Sequence, residues 1–227
     1  MTAVFVTATG TDVGKTFVTA GLIRELRKQG RPIQALKPVI SGFDPNAVAA
    51  SDTGVILDAL GRAPSADAVA AISPWRFAAP LSPDMAARRE NRSVDFEGLL
   101  DFCRTGIDAA QGTLLIEGVG GIMVPLDDRH TVLDWMVELK IPVLLVTGSY
   151  LGTISHTLSA VDVLTRRGLK IAALVVSETA GSTVGLDQTT VTLRRFVPVD
   201  IEILALPRLD GPDHPVFDRL AELIAEP

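Results

Sequence analysis

The residues of this 227-residue chain that could do chemistry fall into a few short stretches. The first is Thr7-Ala8-Thr9-Gly10-Thr11-Asp12-Val13-Gly14-Lys15-Thr16, which follows an apolar run and opens a helix-patterned segment. Such a loop presents several backbone N–H groups at a helix N-terminus, where the peptide dipoles favour anionic oxygens. Gly14 lets the backbone approach a phosphate closely. Lys15 offers a point charge to β- and γ-phosphates, and the Thr16 hydroxyl can ligate Mg²⁺. The strict glycine, four residues, Gly-Lys-Thr pattern is not met, because Thr9 stands at its first glycine. The strand before, the helix after and the Gly/Thr-rich lead-in carry the phosphate-loop reading.

Every other candidate falls at the carboxyl end of an expected strand, where open α/β sheets hold their ligands. Lys37 closes the second strand and is followed by Pro38 and Ser41-Gly42. Its position favours a role in the site over that of a solvated surface lysine. Asp52 lies at an expected helix start, where it reads equally as an N-cap. Glu117 ends a third strand and enters Gly118-Val119-Gly120-Gly121. A carboxylate there suits a Mg²⁺-associated acid, and the glycines let backbone approach a ligand. Gly148-Ser149-Tyr150-Leu151-Gly152-Thr153 opens another helix, and reads either as a second anion site or as an ordinary capped helix. His156 reads as structural, His130 and His214 lie in polar loops, and Cys103 reads as a small core residue.

The elements that must position these residues follow from patterning. Apolar, β-branched runs over 3–8, 33–39, 113–117, 142–147, 171–177 and 201–206 read as strands buried on both faces. Helical periodicity covers 15–28, 52–60, 96–110, 132–139, 153–167, 185–196 and 215–225. Strand–helix alternation predicts one α/β domain over 1–227, a doubly wound, mainly parallel sheet with helices on both faces. The Pro-, Ala- and Ser-rich stretch 61–92 reads as a long connection with short helical pieces.

Composition excludes several classes. Hydrophobic residues make up 47%, enough for a substantial core. The net charge of −6 argues against a nucleic-acid partner, which needs a basic face. One cysteine can form neither an internal disulfide nor a thiolate metal site. The apolar runs are too short to span a membrane, and the first residues lack a signal-peptide pattern, so a cytoplasmic protein is expected.

Taken together, these residues resemble the dethiobiotin synthetase family over essentially the whole chain. The matching segments are TATGTDVGKT at 7–16, KPVISG at 37–42, the Ser-Asp pair at 51–52 and FAAPLSP at 77–83. They continue with EGVGGIMVPL at 117–126, PVLLVTGSYLGTISH at 142–156 and ALPRLD at 205–210. The resemblance implies a P-loop enzyme, a homodimer with its site at the interface, that uses ATP and Mg²⁺ to close 7,8-diaminononanoate and CO₂ into dethiobiotin. It assigns ATP to Asp12, Val13, Gly14, Lys15, Thr16, Phe17, Asp52, Glu117, Gly118, Val119, Gly120, Ser177, Glu178, Pro207, Arg208 and Leu209. Thr16, Asp52 and Glu117 would organise the metal, and Lys15 and Lys37 would stabilise charge during catalysis. Thr11, Lys37, Ser41, Val119 and Gly120 would hold the diamine and its carbamate. Leu151, Gly152, Thr153, Ile154 and Ser155 would receive the substrate carboxylate from the partner subunit. The chain departs from the family at Ala8, usually glycine, at Ser177-Glu178, usually Asn-Asp near the base, and at Asp84, often histidine.

The alternative weighed is a switch ATPase of the partition or septum-positioning type. Those carry a signature lysine five residues before the loop lysine, where this chain has Gly10. A metallochaperone GTPase would need an Asn-Lys-x-Asp motif and a Cys/His cluster, and the sequence has neither.

Overall fold

A computed structural model describes residues 2–208 and 213–224. The first half runs β1 (Thr2–Ala8), α1 (Lys15–Lys28), β2 (Ile33–Leu36), β3 (Val39–Ser41), α2 (Asp52–Ala59), α3 (Ala66–Ile72), β4 (Trp75–Phe77), α4 (Pro83–Arg89) and α5 (Phe96–Ala109). The second half runs β5 (Thr113–Glu117), α6 (Val132–Leu139), β6 (Val143–Gly148), α7 (Thr153–Arg166), β7 (Ile171–Ser177), α8 (Leu186–Leu193), β8 (Ile203–Leu206) and α9 (Pro215–Leu223).

Six strands form a wholly parallel sheet in the order β2-β5-β1-β6-β7-β8. The central strand β1 alternates its side chains between two cores. Val4, Val6 and Ala8 pack with residues of α1, α2, α3 and α9 on one face. Phe5 packs on the other, with α4–α8, and meets Trp135 edge-on at 4.7 Å between ring centroids. The doubly wound expectation is therefore met, and it explains why strand after strand is apolar throughout.

Two local departures from the sequence expectation shape the site. The run at 33–39 is not one strand: β2 pairs with β5 only as far as Leu36, and the chain then leaves the sheet. Pro38 has no N–H to give a ladder and restricts the residue before it. Beyond it, β3 pairs in parallel with β4 as a small separate sheet, and the Lys37 amide bonds to the Ile72 carbonyl. The stretch 61–92 contains the expected short helices, α3 and α4, but also β4, which its composition did not reveal. Elsewhere, helix and strand ends shift by a few residues, as with β8, which starts at Ile203 rather than 201.

Candidate active site

Five side chains from four places in the chain converge beyond the carboxyl ends of β1 and β5. Lys15 and Thr16 sit in the first turn of α1, and Glu117 is the last residue of β5. Lys37 arrives from the break between β2 and β3. Asp52 opens α2, but Ser51 is the cap, accepting the Gly54 amide at 3.1 Å. The Asp52 carboxylate is thereby left for Lys37.

The Lys37 ammonium is fully buried and has three acceptors: Glu117 Oε1 at 2.9 Å, the Gly118 carbonyl at 2.7 Å and Asp52 Oδ2 at 3.0 Å. The Thr16 hydroxyl also donates to Glu117 Oε1, at 2.8 Å. Burial opposes the charge on Lys37, but Glu117 and Asp52 outweigh it, so its pKa is raised. Lys37 is therefore a fixed cation and not a proton carrier. Burial also opposes the charge on Asp52, yet the neighbouring Lys37 ammonium, by charge and by hydrogen bonding, holds its carboxyl below the usual range. Lys15 goes the other way: burial, aided by repulsion from Lys37, pushes its ammonium down to about 8. It is a cation without enough counter-charge, which is what a polyanionic ligand would relieve.

Lys15, Thr16, Lys37 and Asp52 border a cleft of about 810 Å³, a volume suited to small-molecule ligands, and Glu117 lies buried directly behind Thr16 and Lys37. Thr11, Asp12, Gly14, Phe17, Ser41, Val119 and Gly120 also line it. Two buried oxygens here lack a protein partner, Glu117 Oε2 and Ser41 Oγ. Leaving such groups unpaired costs roughly 1–3 kcal/mol each, so both point to a ligand. The loop itself needs Gly14, whose φ of 95° is left-handed and whose missing Cβ would lie 2.8 Å from Ser177 Oγ. No side chain caps α1, so its first amides face the cleft uncapped. Ala8, by contrast, is ordinary strand at the end of β1, paired with Val146, so glycine's freedom is not needed there.

The remaining expected residues lie outside this cluster. Val13 is buried beneath the loop. Ser177 ends β7 under Gly14, and the adjacent Glu178 carboxylate accepts the Arg208 amide at 2.8 Å. Pro207 and Arg208 follow β8, while Leu209 falls outside the described residues. Leu151, Gly152, Thr153, Ile154 and Ser155 do not reach the cleft of their own chain. Leu151 is exposed, and Gly152 starts α7 with a φ of 96° and no side-chain cap. His156 is held by the Tyr150 hydroxyl at 2.9 Å, and burial pushes the Cys103 thiol up to about 12, so both fit structural roles. One wall of the cleft, Pro80–Pro83 with Val124 and Ile40, carries no site role in the sequence reading. Its signal was membership of three matching segments, FAAPLSP for Pro80–Pro83, EGVGGIMVPL for Val124 and KPVISG for Ile40.

The donor set fits a magnesium ion. Mg²⁺ takes one or two carboxylates, a hydroxyl and several waters or phosphate oxygens. Thr16, Asp52 and Glu117 supply such oxygens, with Glu117 Oε2 unpartnered. Among the described residues there is no cluster of three or more His, Cys, Asp or Glu.

A parallel sheet with a lysine-bearing phosphate loop after its central strand defines a P-loop nucleoside triphosphatase fold. Solved structures agree: the cell division ATPase MinD of Pyrococcus furiosus aligns with a TM-score of 0.57 at 17% identity, over 99% of this chain and 98% of its own. The signal recognition particle receptor FtsY of Elizabethkingia anophelis aligns at 0.52 with 13% identity, over 99% and 65%. At such identities the likeness concerns the fold alone. A family model described as an AAA domain matches residues 2–213. The ATP-dependent dethiobiotin synthetase BioD of Acidiphilium cryptum (strain JF-5) is 51% identical over 198 residues, 87% of this chain and 89% of its own. That of Caulobacter vibrioides (strain NA1000 / CB15N) is 47% identical over 209 residues, 92% and 93%. The chain belongs to the ATP-dependent dethiobiotin synthetase family.

Proposed function

We propose that this chain, acting as one P-loop domain, closes 7,8-diaminononanoate and CO₂ into dethiobiotin at the expense of ATP, releasing ADP and phosphate. The observation that carries this reading is the convergence of Lys15, Lys37 and Asp52 on one cleft, with the buried Glu117 paired to Lys37 behind it. One substrate amine takes up CO₂ and loses a proton, giving a carbamate. A carbamate oxygen attacks the γ-phosphorus and ADP leaves, which yields a carbamic–phosphoric anhydride. The second amine then attacks the carbonyl carbon, phosphate leaves and the cyclic urea closes. The chain contributes position and charge rather than a covalent intermediate.

In this scheme the phosphate loop, Asp12 to Phe17, holds the phosphates, and Lys15 regains full charge as they arrive. Lys37 is the permanent cation between carbamate and transferring phosphoryl group, held by Glu117 and Asp52. Thr11, Ser41 and the Val119–Gly120 backbone hold the diamine end. Mg²⁺, held by Thr16, Asp52 and Glu117, would neutralise phosphate charge when bound. Gly118 belongs to the ATP site through its carbonyl bond to Lys37. Ser177, Glu178, Pro207 and Arg208 form the base end. The stretch from Leu151 to Ser155, which leads into the first turn of α7, lies outside its own cleft, which suits a homodimer in which it receives the substrate carboxylate of the partner site. A cytoplasmic setting is consistent with the absence, among the described residues, of any helix long and apolar enough to cross a membrane.

Incubation with diaminononanoate, labelled bicarbonate and MgATP should give a labelled cyclic urea and one phosphate. Absence of substrate-dependent phosphate release would rule the reading out. Lys37→Ala should lose most turnover, about 10²–10³-fold for one charge-stabilising donor, with circular dichroism unchanged.

A further inference from the structure

A chain of hydroxyls joins the start of the phosphate loop to the first turn of α7. Thr147, on β6, is fully buried, and its Oγ1 lies 2.9 Å from each of three other hydroxyls, those of Thr9, Thr153 and Thr157. Thr153 Oγ1 lies 2.6 Å from the Gly148 carbonyl, to which it must donate. A hydroxyl has one proton and two lone pairs. The Thr153 proton being committed, Thr147 has to donate to Thr153. The Thr147 proton is then committed too, so Thr9 and Thr157 have to donate to Thr147. Every proton direction is determined, and the Thr147 oxygen uses its donor and both acceptor positions.

We infer that Thr147 is a positioning residue that holds the phosphate loop in register with the first turn of α7. Thr9 stands at the strand end that leads into the loop, and its amide also bonds to the Val146 carbonyl at 3.0 Å. Thr153 is the first residue of α7, directly after the left-handed Gly152. The inference rests on the proposed function, in which α7 serves the partner's substrate carboxylate. Thr147 then ties the nucleotide end of one site to the carboxylate end of the other. The arm to Thr157 provides an internal control, since it touches neither end.

The test compares wild type, Thr147→Val, Thr147→Ser and Thr157→Val by thermal melting and by steady-state kinetics. The diamines are 7,8-diaminononanoate and 2,3-diaminooctane, which lacks the carboxylate. Thr147→Val should raise KM for diaminononanoate and for ATP about five- to tenfold, the size of one neutral hydrogen bond, and shrink the preference for the carboxylated diamine. Thr157→Val, which removes one of the three bonds, should lower Tm by less than Thr147→Val and leave both KM values within about twofold, and Thr147→Ser should restore wild-type constants. A Thr147→Val enzyme that melts lower but keeps both KM values and the full carboxylate preference overturns the positioning role. A wild type that takes 2,3-diaminooctane as readily as diaminononanoate refutes the α7 carboxylate reading itself, and this inference with it.

Discussion

Lys15 loses its proton in a range that binding experiments reach easily. Burial and the neighbouring Lys37 bring its pKa from 10.5 to about 8, a preference for the neutral amine of about 3 kcal/mol. Nucleotide phosphates need the charged form. Above pH 8 binding must therefore be coupled to uptake of a proton, and affinity should fall about tenfold per pH unit. Phosphate's own ionisation, near pH 6, is complete by then. Calorimetric titration with ADP from pH 7 to 9.5 should give a flat region, then a break near pH 8. In buffers of different ionisation enthalpy, proton uptake should approach one per nucleotide beyond the break. Lys15→Arg, which stays charged, should lose the break whatever its absolute affinity. Lys37→Met removes the repelling ammonium and should move the break upward. For folding, the sign is opposite to that of a paired lysine. Between pH 8 and 10.5 the unfolded chain binds more protons at this position, so stability rises with pH there. Below pH 8 protonated Lys15 lowers stability by up to about 3 kcal/mol. Lys15→Met should accordingly abolish ADP binding yet raise Tm at pH 7 by several degrees, at roughly 2–4 °C per kcal/mol. A wild-type affinity that stays level to pH 9.5 would refute the electrostatic picture of the site.

Three further outcomes are expected. Glu117→Gln removes the carboxylate whose Oε2 is unpartnered, and the Mg²⁺ concentration for half-maximal rate should rise at least the roughly 10–100-fold typical of weaker second-layer changes; an unchanged Mg²⁺ titration would exclude Glu117 from the metal site. Ser177 cannot offer the paired donor and acceptor of an amide, so CTP and GTP should support turnover within about tenfold of ATP, and strict ATP dependence would contradict this. A methyl on Gly21 would lie 2.2 Å from the Phe217 ring, so Gly21→Ala should cost about 1–3 kcal/mol in urea denaturation; wild-type stability would show that α9 does not pack on α1 in this way.

The phosphate loop was legible in the sequence because its chemistry is local. Gly14, Lys15 and Thr16 are consecutive, and the strand before and helix after announce themselves by patterning. Glu117 was legible for a similar reason, a lone acid closing an apolar run. Lys37 was legible only as a position. Reading 33–39 as one strand put it at the end of a continuous ladder, whereas the Pro38 break turns its backbone toward α3. Asp52 read equally as a cap until Ser51 took that role.

The sequence by itself determined the doubly wound sheet, the anion-binding loop and the order of acids and lysines along the strand ends. These depend on periodicity and on neighbours a few residues apart, which the chain states directly. Tertiary structure alone decided that Lys37 would be a fully satisfied cation and Lys15 an under-compensated one, although both are lysines in similar company. It also decided that Thr9, Thr147, Thr153 and Thr157 would share their protons in one direction. Burial and counter-charge are properties of the assembled surroundings, brought together across long sequence separations, and no local pattern encodes them.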